Sequence, residues 1–479
     1  MLFNSFYYYV FLLVVFIIYY SVNTKLKWFV LFIASLFFIG TIAPNLILFT
    51  LLFTALNYFL GLAIQNVKKK SLRKTIFWLG ISADIGILAF YKYINFLFEN
   101  LNILLNLLPS QPAIPYLSIM IPVGISYYTF QALGYIIRIN RGAEKAEKNF
   151  IVFTTYLTFF PKFLSGPVER SNHFFPQSQS KIEFNAENVS AGLRLFLWGM
   201  FKKVVIGNNL AGPVTMVYND VHHYSGVPLL IVMFIQTIHL YCDFSGYTDM
   251  ALGSAKIFGI NLIDNFNRPF FAKNVGEFWR RWHISLSSWC NDFIFSPFIV
   301  KFRKMGNTAA IIGIFLSFFV IGIWHGANWT FVVLGILQGI AISYEFYTKR
   351  KRLQIAAKLP QKFVVAASRL ITFSFFCLTL IFFNAHSIQD AWYYITHLFT
   401  GMRFQLEGYD FIYDKTKFIF AMLMFSLLFV LEIYQEKGVD VLGYFLKKPG
   451  YLRWAGYYFF IIMIFYFSGG QETFVYLKF

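Results

Sequence analysis

The sequence predicts an all-α polytopic integral membrane protein, with roughly 11–13 transmembrane or re-entrant helices around a central wet path. Composition is the first ground. Of 479 residues 58% are hydrophobic and only 13% charged, with a mean hydropathy of +0.59, whereas a soluble domain carries about 25% charged residues. Periodicity is the second, because apolar stretches of about 20 residues, the length that crosses a bilayer, recur along the chain. The third is the placing of positive charge. The formal net charge is +19, and the lysines and arginines cluster between apolar stretches, where they orient a membrane protein. The partner expected of that charge is the lipid bilayer, not nucleic acid.

The first element, residues 2–20, lacks a basic leading segment and a small-residue cleavage site, so it reads as a retained span. Further spans are expected at 28–44, 46–66, 75–97 and 117–137. Basic residues follow the first (Lys25, Lys27), the third (Lys68, Lys69, Lys70, Arg73, Lys74) and the fifth (Arg138, Arg141, Lys145, Lys148), while the other connections carry none. This alternation puts the N-terminus outside and the basic loops in the cytoplasm. Beyond residue 150, Lys162, Lys202 and Lys203 interrupt apolar runs and Pro161 and Gly166-Pro167 break helices. Such interruptions at membrane depth require burial in protein or a wet cavity. Later spans are expected near 225–241, 309–344, 365–385, 415–433 and 454–469.

Residues 264–304 form the largest polar insert, with Asn265, Asn267, Arg268, Glu277, Arg280, Arg281 and His283 among Phe and Trp. Their aromatic density suits interfacial or re-entrant structure. The 62 Phe and 30 Tyr suit lipid-facing packing and interface belts. Cys242, Cys290 and Cys377 are odd in number and widely spaced, and predict neither a disulfide framework nor a metal site. No internal repeat is visible, which counts against transporters built from repeated halves. The chain reads as a single membrane-embedded domain over 1–479, with a motif-bearing core at 115–345 and flanking spans at 1–114 and 346–479.

Between Lys304 and Glu345 the chain holds no Lys, Arg, Asp or Glu, and near the middle of that stretch lies Gly322-Ile323-Trp324-His325-Gly326-Ala327-Asn328-Trp329. Ionisable groups inside membrane segments are rare and tend to mark sites or relays. Desolvation keeps an imidazole neutral, the state in which it takes a proton from a hydroxyl. His325 is therefore read as a general base, beside two alternatives: a satisfied structural histidine at a helix break, or a proton relay.

His283 follows Arg280 and Arg281, whose planar forks suit phosphate or carboxylate. An anionic part of a donor near the membrane face is one reading; arginines snorkelling to lipid headgroups is the other. His239, Asp243 and Tyr247 fall on one helix face at i, i+4, i+8. With Asp249 they suggest a polar network bridging helices, since the possible ligands are too few for a metal. Asp84, alone in a span, is expected to find a salt bridge on another helix.

Four motifs in order, Tyr241–Met250 (YCDFSGYTDM), Asn265–Phe270 (NFNRPF), Phe278–Leu286 (FWRRWHISL) and Gly322–Trp329 (GIWHGANW), together resemble the membrane-bound O-acyltransferase family, in its alginate O-acetyltransferase-like branch. Gly124–Gln131 (GISYYTFQ) and the segment LSGPVERSNHFFPQ within Phe160–Gln177 support the resemblance. It covers roughly 115–345 by motif. It implies that His325 is the intramembrane catalytic histidine and His283 the second functional one. Trp324, Asn328 and Trp282, which flank them, join Arg280 and Arg281 as candidate substrate-binding residues.

The activity so implied is acyl transfer, an acetyl group passing from a cytoplasmic thioester such as acetyl-CoA toward hydroxyls of an extracytoplasmic polysaccharide. Transfer is direct or through a periplasmic acetyltransferase- or esterase-like partner. The thioester is a co-substrate; no cofactor and no metal are expected. The implied location is a bacterial inner membrane. Where the alginate-type pattern commonly has a Gly-rich loop after the segment around Asp292–Pro297, this chain has Phe298–Lys304 (FIVKFRK). D-alanyl transfer to a cell-wall polymer is the related alternative. The Arg280-Arg281 pair and the long C-terminal apolar region favour acetylation over it. A transporter or flippase of a glycan-export system is the alternative from another class, with Asp84, Asp243, Asp249 and His325 lining the path.

Overall fold

The computed structural model describes residues 1–108, 113–402 and 409–468. Among them the protein is helical, with one isolated bridge between Phe266 and Trp282. Eight described helices have the length and apolar composition to cross a membrane. The remaining helices are shorter or less apolar, so the 11–13 crossings or re-entrant pieces read from the sequence divide into these eight and a set of lesser elements. This is a multi-pass membrane protein. Its chain clusters into two compact units, Met1–Arg194 with Ala251–Ile263, and Leu195–Met250 with Asp264–Phe479.

The first unit opens with α1 (Phe6–Ser21), α2 (Lys27–Ile42), α3 (Leu46–Asn66) and α4 (Lys70–Leu105). Ser5 caps α1 by accepting from Tyr8 N, which satisfies one orphan amide of the first turn. The fifth expected span starts late. Residues 113–124 are non-helical, and α5 (Ile125–Asn140) begins only after Pro122 and Gly124, the latter at φ +76°. A side chain at Gly124 would be strained and would run into Phe163 O. α6 (Phe150–Thr158), α7 (Ser171–Gln179) and α8 (Ala186–Met200) follow.

Polar groups buried in this unit meet acceptors or donors on other elements. Tyr8 Oη donates to Ser254 Oγ at 2.9 Å, and Lys27 Nζ donates to Ile182 O at 2.7 Å. Lys162 donates to Gln131 Oε1 and to Tyr156 O. Asp84 accepts from Asn57 Nδ2 at 2.9 Å, both side chains fully buried. An amide on α3, not the expected salt-bridge partner, meets it. A neutral donor satisfies one carboxylate oxygen without bringing a second charge out of water.

In the second unit a π-helical segment, Phe201–Gly207, leads into α9 (Asn208–Asn219) and α10 (Val227–Ile257). The insert contributes α11 (Val275–Trp279), α12 (Ile284–Cys290) and α13 (Ser296–Lys301). The apolar stretch near 309–344, where His325 could lie on a span or at a hairpin, is two helices, α14 (Asn307–His325) and α15 (Trp329–Ala356), joined by three residues. α16 (Gln361–Thr379), α17 (Ile381–Asn384), α18 (Ile388–His397), α19 (Lys415–Glu436), α20 (Val441–Leu446) and α21 (Gly450–Phe467) complete it. The span expected to 469 runs at its end beyond the described residues.

The hairpin of α14 and α15 is the tightest packing in the unit. A β-carbon on Gly322 would overlap Phe331 O, and one on Gly335 would overlap Phe318 O. Gly326 is in extended backbone with the Phe331 ring where its side chain would be. Asn328 then starts α15, its side chain accepting from Thr330 N at 2.9 Å. Glycine for approach and asparagine for the cap make the break where the sequence has GAN.

Candidate active site

Two elements of the second unit bring the histidines to one indole. His325 is the last residue of α14, and His283 precedes the first residue of α12. The Trp324 ring lies 5.4 Å from the His283 ring and 5.1 Å from the His325 ring, centroid to centroid. Phe244 packs on His283 at 4.8 Å and Phe383 on His325 at 5.3 Å. His283 is fully buried and His325 is 6% exposed. On the insert, outside the spans, burial holds the His283 imidazole well below its usual range, with the nearby His325 adding to the effect. Burial thus favours the neutral imidazole at His283 over the cation.

The backbone at His283 is unusual. Its φ of +45° and ψ of 50° place a non-glycine residue in the left-handed region, which costs about 1–2 kcal/mol. The surrounding chain imposes it. Phe266 and Trp282 form the isolated bridge, Asn267 N donates to Arg281 O at 2.9 Å, and Ile284 N donates to Asn265 O at 3.0 Å. The Asn265 side chain completes the clamp, its Oδ1 accepting from Ser285 N at 3.1 Å and Ser285 Oγ at 2.6 Å, and lying 3.4 Å from His283 Nδ1. Strain held by its surroundings is a mark of functional sites.

Trp282 sits in an aromatic cluster, 5.0 Å from Phe266 and 5.0 Å from Phe376, ring to ring. Asn328 caps α15 and also donates through Nδ2 to His386 O at 3.1 Å. The two arginines diverge. Arg281 holds Glu436 with both terminal nitrogens, at 2.9 and 3.0 Å, and Glu277 at 2.8 Å. Arg280 is exposed and lines a cavity of about 550 Å³. Trp279, Ile284, Ser288, Phe318 and Ile321 share that wall. Ile284 is the neighbour of His283, and Ile321 is one helical turn before His325. The cavity is of the size that takes a small ligand, with few polar groups on an apolar lining.

The expected network on α10 is a set of ion pairs. Lys203 pairs with Asp243, and Lys202 reaches Asp249 Oδ2 at 2.7 Å and Ser245 Oγ at 3.0 Å. Tyr241 donates to Glu432 on α19. Tyr247 is buried on the same helix, and His239 is half-buried. Two consecutive lysines of the π-helical segment thus reach carboxylates on α10. Among the described residues no group of three His, Cys, Asp or Glu is gathered for a metal.

Sequence reasoning gave no role to Asn265 or Glu436. Asn265 opens the NFNRPF motif, a signal that was present; Glu436 is 155 positions from Arg281, and no local pattern links them.

The family model of the membrane-bound O-acyltransferases matches residues 29–384. A probable alginate O-acetylase of Pseudomonas aeruginosa is 31% identical over 395 residues, covering 81% of this chain and 73% of that one. The peptidoglycan O-acetyltransferase of Helicobacter pylori is 29% identical over 361 residues, covering 70% of this chain and 66% of that protein. A teichoic acid D-alanyltransferase of Bacillus subtilis is 31% identical over 284 residues, 57% of this chain and 71% of its own.

Proposed function

The chain belongs to the membrane-bound O-acyltransferase family, and from that premise we propose that it moves an acetyl group from a cytoplasmic thioester toward hydroxyls of an extracytoplasmic polysaccharide. One observation carries the reading: two buried imidazoles, from separate elements, flank a single indole, and Ile284 and Ile321, near them in the chain, line a small-ligand cavity. The relatives named for alginate and peptidoglycan O-acetylation point to the acceptor class. The alternation of basic connections supports an N-terminus outside, and the bacterial relatives support an inner membrane. The acceptor is reached directly or through a periplasmic partner.

In this reading the thioester, acetyl-CoA or a similar donor, occupies the cavity with its anionic part at Arg280. His325 takes the proton of the attacking hydroxyl as its oxygen bonds to the thioester carbonyl. The C–S bond then breaks, the thiolate leaves, and the proton returns from the imidazole to sulfur. His283, neutral in its buried seat, assists from the other side of Trp324. An apolar, water-poor setting protects the thioester from hydrolysis. D-alanyl transfer is the competing reading, raised by the teichoic acid relative.

The test is turnover of the purified protein in lipid vesicles with an acetyl thioester and a polysaccharide acceptor. His325→Ala should lower transfer by about 10²-fold or more while the protein still folds and inserts. Near-normal turnover in that variant would remove His325 from the chemistry. Preference for a D-alanyl thioester would replace acetylation, and a His325→Ala protein that still moves glycan would favour transport.

A further inference from the structure

The clamp beneath His283 settles which of its nitrogens carries the proton. Asn and Gln amides are ambiguous between oxygen and nitrogen until a neighbour of fixed character decides. Here the neighbour is the backbone N–H of Ser285, which can only donate. The Asn265 atom 3.1 Å from it is therefore the oxygen, and the Ser285 hydroxyl at 2.6 Å donates to the same atom. Turning the amide over would set an NH₂ group against that N–H. Asn265 Oδ1 is also the atom 3.4 Å from His283 Nδ1. An oxygen there requires a proton on Nδ1, and a neutral imidazole has only one proton.

We propose that Asn265 is a positioning residue that holds His283 as the Nδ1–H tautomer, leaving the lone pair on Nε2 for proton transfer in the acyl-transfer reaction. The main chain of Asn265 joins in, since its carbonyl accepts from Ile284 N. One residue thus fixes the peptide after His283, the residue after that, and the ring nitrogen itself. Asn265 is fully buried, and its Nδ2 has no hydrogen-bond partner among the described residues. Leaving a buried donor unmade costs about 1–3 kcal/mol. A side chain kept only for stability would not carry that cost; one kept for its oxygen would. A positioning role through an orienting acceptor is the logic by which a third group sets a catalytic histidine elsewhere in enzymes.

The kinetic part of the proposal rests on the proposed function; the tautomer does not. The test is nitrogen-15 NMR of the full protein in nanodiscs with labelled histidine, His283 being assigned by its loss in His283→Gln. In the wild type, Nδ1 should appear protonated and Nε2 unprotonated. Asn265→Ala should shift the population toward the Nε2–H form. Its kcat with an acetyl thioester should fall about 10²-fold, the range of a general acid–base contribution, with KM nearly unchanged. Asn265→Asp keeps the acceptor, so it should keep the tautomer and recover most of kcat; it also decides the matter if the alanine variant does not fold. A wild-type His283 protonated on Nε2 would overturn the proposal. So would an alanine variant with unchanged tautomer and kcat. The predicted tautomer in a protein that transfers no acyl group would support the Asn265 assignment and overturn the proposed function instead.

Discussion

The second unit buries two sets of ionisable groups, and they are satisfied in opposite ways. Lys202 and Lys203 each face a carboxylate on α10. His283 and His325 face rings: Phe244, Trp324 and Phe383. A lysine ion pair in a low-dielectric interior is locked, because moving its proton or its partner leaves a bare charge. An imidazole walled by aromatic rings stays neutral and keeps a lone pair to offer. Paired charge therefore holds helices together, and in the proposed function the ring-walled imidazoles move the proton.

The hardest way to break this contrast is to remove one lysine. Lys203→Ala leaves Asp243 buried without its cation and should destabilise the protein by about 3–5 kcal/mol, read as a lowered unfolding temperature in detergent. Replacing both, Lys203→Met with Asp243→Leu, should recover most of the loss. A Lys203→Ala protein of normal stability that fails to transfer acyl groups would move the network from scaffold to mechanism.

The two arginines carry the contrast to the insert. Arg281 is forked on Glu436 and paired with Glu277, as a scaffold residue would be; Arg280 lines the cavity, where the proposed function puts the donor. Arg280→Lys should weaken a phosphate-bearing thioester by about 1–3 kcal/mol, the worth of charge-assisted hydrogen bonds. A truncated thioester without phosphates should not register the change. Arg281→Lys should lower thermal stability and leave apparent donor affinity alone. Equal loss of donor affinity in both variants would put Arg281 in the site as well.

The smallest effect comes from a histidine of the first unit. His173 Nδ1 lies 2.7 Å from the Glu169 carboxylate, and that hydrogen bond raises its affinity for protons above the ordinary value. The sign follows: a folded-state value above the unfolded one gives stability that is full below pH about 6.5 and is lost as pH rises through the folded value. The side chain is 42% exposed, so solvent screening keeps the contribution below about 1 kcal/mol. His173→Gln should flatten that slope in unfolding temperature against pH while leaving turnover unchanged. A change in turnover would mean that a carboxylate-paired imidazole also serves the reaction.

Much of the helical frame was legible because lipid imposes a simple rule: about 20 apolar residues and a basic flank. Residues 46–66 and 415–433 match α3 and most of α19. The break after His325 was legible as chemistry but not as geometry. GAN permits a turn, yet hydropathy runs unbroken through it, so the sequence leaves open whether His325 lies on a span or at a hairpin. His325 could be singled out because an ionisable group stands out in an apolar run, and His283 because it follows an arginine pair in the FWRRWHISL motif. Their meeting at Trp324 could not, since it is made by packing across separate elements. The division of labour between Arg280 and Arg281 was hidden for the same reason. It depends on Glu436, far along the chain, and adjacent residues of one type look alike in sequence.

The glycines of the α14–α15 hairpin carry a lesson for mutational drift. Positions 322, 326 and 335 have atoms of Phe331 and Phe318 where a first side-chain carbon would go. These positions would resist replacement even in a lineage that had abandoned its chemistry, because the hairpin itself could not close. The sequence around His325 thus answers to a steric demand and, in the proposed function, to a chemical one. A descendant that lost the reaction would show it at His325, beside glycines that the hairpin still requires.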